Sequence, residues 1–79
     1  SDGMSNIGTP MTEARDALVA DGITINGLPI LTEAPWLDTY YAEYVIGGPD
    51  AFVEVARDLA SFGQAMQKKL VRELVVSER

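Results

Sequence analysis

Few residues in this chain could do chemistry, and they do not converge. Gly47-Gly48-Pro49-Asp50 could cup an anion, because successive backbone N–H groups form a concave donor surface. A lone glycine pair with no lysine after it, and a proline that removes one donor, fits a plain turn better. Glu33, Asp38, Glu43 and Asp50 supply carboxylates of the kind that work in acid–base pairs. Nothing in their spacing sets two of them on one rigid, desolvated face, so they read as solvated surface acids. Trp36, Tyr40, Tyr41 and Tyr44 crowd into positions 36–44. Such a cluster suits a docking surface, or rings packed on a neighbouring element with their phenols reaching water.

Composition narrows the chemistry further. The 79 residues contain no cysteine and no histidine. Disulfides, thiolate zinc sites and a neutral-pH imidazole base are therefore excluded. A bound metal would need oxygen ligands, which favours magnesium, calcium or manganese. The net charge of −6 repels phosphate backbones and argues against nucleic acid. Apolar residues make up 47% of the chain, enough for a folded domain. No apolar run approaches the roughly 20 residues of a membrane helix.

The elements that must position these residues can be traced in order. Asp2 to Gly8 is a Gly/Ser/Asn-rich loop. Thr9-Pro10 suggests a helix start, Met11, Ala14, Ala17 and Leu18 an apolar face, and Gly22 a left-handed cap. Ile23 to Asn26 is β-branched and predicts a strand, which Gly27 and Pro29 end. In parallel sheets the loops at the strands' carboxyl ends line the binding crevice. Asn26 to Thr32 is therefore expected on the same edge as Asp2, with Asn26, Gly27 and Gly3 as binding positions. Pro35 opens a second helix, Val45 to Asp50 breaks it, and Ala51 to Ala56 predicts a second strand with Phe52 and Val53 buried. Asp58 caps a last helix whose inward stripe is expected to be Leu59, Phe62, Met66, Leu70 and Leu74 with Val71 and Val75 beside it.

Four segments carry a family likeness: Gly22-Ile23-Thr24-Ile25-Asn26-Gly27-Leu28-Pro29-Ile30, Leu37-Asp38-Thr39-Tyr40-Tyr41, Val45-Ile46-Gly47-Gly48-Pro49 with Ala51-Phe52-Val53, and Lys69-Leu70-Val71-Arg72-Glu73. In order, and over nearly all of the chain, they resemble the C-terminal part of one bacterial family of unknown function. That family looks like the von Willebrand factor A fold. The resemblance implies a divalent cation held by three loops, of which only the third has a counterpart here. Asp2-Gly3 matches that loop, making Asp2 the one implied metal ligand. One carboxylate falls far short of the roughly six oxygens of a magnesium shell. No cofactor is thus expected in this fragment, and Mg2+ or Mn2+ only in the intact domain. The resemblance also implies a periplasmic or secreted protein.

The expected fold class is α/β: the C-terminal half of a von Willebrand A-like (Rossmann-like) parallel sheet, in the order helix-strand-helix-strand-helix. Residues 1–79 are expected to form a single partial domain, with Ser1 following a strand that is not present. The expected function is protein recognition rather than catalysis, a partner's carboxylate completing the cation shell in the intact protein. The alternative is a structural fragment that forms homo-oligomers through its exposed sheet edge and the Leu59–Leu74 stripe. Neither nucleic acid nor a membrane span is expected.

Overall fold

The computed structural model describes residues 8–78. The first helix, α1, spans Gly8–Ala20 and carries Pro10 in its first turn, where amide donors have no intrahelical partner. It ends as the glycine predicts. Gly22 takes φ 86°, its N–H reaches Val19 O at 3.0 Å, and the Ile23 N–H reaches Leu18 O at 3.0 Å. These are the two reverse bonds of a Schellman cap. The face that packs is not the predicted one. Met11, Ala14, Ala17 and Leu18 are exposed, whereas Arg15 and Val19 turn inward, where an added Cβ on Gly47 would meet them at 2.9 and 3.0 Å.

A short helix, α2 (Leu37–Tyr40), runs into a π-helical turn at Tyr41–Val45. The turn closes with the Ile46 N–H bonded to Tyr41 O at 2.9 Å. Its carbonyl end is met by Arg15, whose Nη1 donates to Glu43 O at 2.8 Å and Ile46 O at 3.5 Å. A cation at a helix C-terminus satisfies orphan carbonyls and complements the dipole. Arg15 is the strut between α1 and this turn.

The expected sheet does not form. Among the described residues, helices make up 57% and strand-type pairing only 9%. The chain is therefore not an α/β fragment built on a von Willebrand A-like parallel sheet. What exists is a set of isolated bridges: Ile25 with Gly47 antiparallel, and Gly27 with Val53 and Ile30 with Ala56 parallel. The cause lies in one residue. Gly27 N–H bonds Phe52 O, Glu54 N–H bonds Gly27 O, Ala56 N–H bonds Pro29 O, and Leu31 N–H bonds Ala56 O, all within 2.9–3.1 Å. The rung missing from this series is a donation from position 29 to Glu54 O, and proline has no N–H to give. Pro29 is itself fully buried.

The last helix enters through a 3-10 turn at Leu59–Ser61, with Asp58 as the predicted cap. Asp58 Oδ1 accepts the Ser61 N–H at 2.9 Å, and Ser61 Oγ accepts the Asp58 N–H at 3.3 Å, a reciprocal capping box. Helix α3 spans Phe62–Ser77. Its inward residues are Phe62, Ala65, Met66, Lys69, Glu73 and Val76. Leu59, Leu70, Val71, Leu74 and Val75, placed in the core by periodicity, are exposed instead. Apart from Pro29, the buried apolar set among the described residues is small: Phe52, Ala56 and Ala65.

Candidate functional site

Asp2 and Gly3 lie outside the described residues. Asn26 and Gly27 sit at the centre of the fold, and both are engaged within it. Asn26 Nδ2 donates to Glu73 Oε2 at 2.9 Å, and Asn26 Oδ1 accepts the Phe52 N–H at 3.0 Å. Lys69 Nζ bonds the same Glu73 oxygen at 2.9 Å. Asn26 thus brackets three elements rather than reaching a ligand. The Asn26 amide, and after it the Lys69 ammonium, hold the Glu73 carboxyl below its ordinary value. Gly27 uses both backbone groups on segment 52–56, and its missing side chain is the space taken by the Tyr41 ring, 2.5 Å from where a Cβ would stand.

The other sequence candidates stay apart. Glu33 follows segment 25–31, Asp38 lies in α2 with its Oδ1 on the Thr39 N–H, Glu43 belongs to the π-turn, and Asp50 closes the turn after Gly47. The Gly47–Asp50 stretch does not cup an anion: the Gly47 N–H is bonded to Ile25 O and the Ala51 N–H to Gly48 O. Gly48 takes φ 99°, and a Cβ there would stand 2.9 Å from the Thr24 Cα, which fits glycine alone. Among the described residues, no three Asp or Glu side chains come together to hold a metal. The groups present do not fit a cation: Asn26 Oδ1 and Gly27 O each accept a backbone N–H, and no carboxylate cluster adds to them among the described residues. No described helix is long and apolar enough to cross a membrane.

The aromatic cluster is mostly packing. Tyr40 stands at its centre, 5.9 Å from Trp36 and 5.1 Å from Tyr44 between ring centroids, with its hydroxyl 3.5 Å from Met11 Sδ. Trp36 caps the cluster from outside and remains 57% exposed.

Sequence reasoning missed a concave surface beside the last helix. A groove of about 400 Å3 runs between positions 50–52 and the C-terminal half of α3, lined by Asp50, Phe52, Val71, Arg72, Val75 and Val76. Arg72 forms one wall. Its guanidinium lies 3.9 Å from the Phe52 ring centroid and its Nη1 is 3.2 Å from Glu54 Oε1. Ring and carboxylate together hold a long side chain that would otherwise sweep the groove. Beyond the lip, Leu70, Val71, Leu74 and Val75 are 51–64% exposed. The one signal for this in the sequence is the Lys69–Glu73 pair at i,i+4. Charges on the side of Phe62 and Met66 mark a wet inner face and leave the purely apolar arc outside.

Residues 1–78 match the model of a family described as protein of unknown function (DUF1194). The chain belongs to that family. The expected likeness to a family of unknown function holds at this level, over nearly the whole DUF1194 chain. Searches of the curated proteins and of the solved structures gave no match.

Proposed function

We propose that this DUF1194 chain is a recognition module rather than an enzyme, and that it binds protein through the groove and outer face of α3. One observation carries the proposal: four aliphatic side chains on two consecutive turns, Leu70, Val71, Leu74 and Val75, face outward on a helix whose other side, with Ala65, Met66, Lys69 and Glu73, is the packed one. A contiguous apolar patch bordered by polar residues is the usual mark of a protein contact. The groove suits an apolar-faced segment of a partner, with Arg72 and Asp50 at its walls to fix register. The proposal needs no cation. Asp2 would contribute to one only if other oxygen ligands joined it.

A photo-cross-linking residue at Val75 in the native host tests this. The expected product is one discrete covalent adduct with another protein, abolished by Leu74→Lys. Absence of any adduct, or adducts indifferent to Leu74→Lys, would reject the docking role.

A further inference from the structure

The hollow beside Phe52 is one end of a longer groove. A second hollow of about 390 Å3, lined by Glu54, Gln67, Lys68, Val71 and Arg72, shares Val71 and Arg72 with the first. A third of about 210 Å3, lined by Val55, Arg57, Ser61, Gln64, Ala65 and Lys68, shares Lys68 with the second. Gln64, Lys68, Arg72 and Val76 follow one another at i,i+4 spacing, so a single row along α3 borders all three hollows. That row spans roughly 18 Å, room for about twelve residues of helix or about five of extended chain.

The chemistry changes along the groove. The Phe52 end is apolar, with Val71, Val75 and Val76, and has Asp50 at its margin. In the middle, Arg72 is matched by Glu54 at 3.2 Å. At the far end Arg57 and Lys68 are both exposed and both line the hollow. Their neighbour Asp58 is committed to the cap, its Oδ1 accepting the Ser61 N–H and hydroxyl. A chain of net charge −6 thus turns a basic strip outward here: α3 holds Lys68, Lys69 and Arg72 against Glu73, which Lys69 pairs. We propose that the partner segment is acidic as well as apolar, laying aliphatic side chains over Phe52, Val71 and Val75 and carboxylates on Arg57 and Lys68. The inference rests on the recognition role proposed above and adds the partner's chemistry and direction, since the reverse orientation would set carboxylates against Asp50.

Photo-cross-linking residues placed singly at Val75 and Gln64 in the native host test it, with the trapped peptides sequenced by mass spectrometry. Both should trap the same protein, an aliphatic stretch at Val75 and an Asp/Glu-rich one at Gln64. Arg57→Glu combined with Lys68→Glu should cut the Val75 adduct about tenfold, because like charges then face each other. A synthetic copy of the trapped segment should bind the purified chain more weakly as salt rises, and about tenfold more weakly once its carboxylates become amides. An adduct that Leu74→Lys abolishes but charge reversal leaves intact would overturn the acidic partner and spare the recognition role. Absence of any adduct would overturn both, and a trapped lipid in place of a peptide would overturn the protein partner. If the charge-reversed chain loses its helical circular dichroism, the amide copy against the wild type decides. Equal binding of the two copies overturns the proposal.

Discussion

At the scale of single residues, Asn26 ties three parts of the fold together. It satisfies the Phe52 N–H and orients Glu73, which in turn receives Lys69. Removing it leaves a partly buried donor unpaired, which costs about 1–3 kcal/mol. Asn26→Ala should therefore lower the melting temperature by about 4–8 °C per kcal/mol for a domain of this size, read by circular dichroism. A change under about 2 °C would mean the bracket is dispensable. Glu73 adds a pH dependence of definite sign. Its carboxyl titrates below the ordinary 4.5 when folded, so the unfolded chain takes up the proton first as pH drops. The stabilisation is complete above about pH 4.5 and is lost as pH falls through the lower folded value. Glu73→Gln should flatten that decline. In the sequence, position 26 is marked by its place at the carboxyl end of the expected strand, but its partner lies 47 residues away. Local pattern points to the residue and says nothing of what it touches.

At the scale of elements, the punctuation was legible and the faces were not. Gly22 and Asp58 end and begin their helices through bonds within five residues, so their geometry is encoded locally. Helix α3 carries two apolar arcs, Phe62–Ala65–Met66–Val76 and Leu70–Val71–Leu74–Val75, and a 3.6-residue period accepts either as the buried one. The choice falls to Asn26, Phe52 and Glu54, which bond or stack with Glu73 and Arg72 and so roll the polar flank inward. The missing sheet has an equally local cause, and it can be tested. Pro29→Ala supplies the absent donor opposite Glu54 O. The added bond, about 0.5–1.5 kcal/mol, is offset by the proline's restraint on the unfolded chain, about 0.4–1 kcal/mol. Melting temperature is thus a poor readout, and amide exchange the right one. The new amide of Pro29→Ala should be protected as strongly as those of Gly27 and Ala56. Exchange at an unprotected rate would show that something other than proline interrupts the pairing.

At the scale of the whole molecule, the fold is a thin plate. Its principal extents are 41 × 32 × 13 Å, and its radius of gyration of 13.6 Å exceeds the value of about 12 Å for a compact domain of this length. A helix with side chains is about 10–12 Å across, so the short axis holds little more than one packed layer. A plate cannot hide both faces of its helices, and the apolar arc of α3 is what it leaves uncovered. From sequence, the 47% apolar content reads as core, because composition does not reveal how thick the folded chain will be. The same thinness leaves exposed the extended apolar surface on which the proposed recognition role rests.

Thermal unfolding of Leu74→Lys tests that claim most directly. Lysine is nearly as good a helix former as leucine, so only burial is probed. With Leu74 on an open face, the change should stay within about 0.5 kcal/mol, a shift below about 4 °C. A loss of about 2–5 kcal/mol, the cost of emptying a buried leucine site, would show that this arc is core after all and that α3 presents no docking surface.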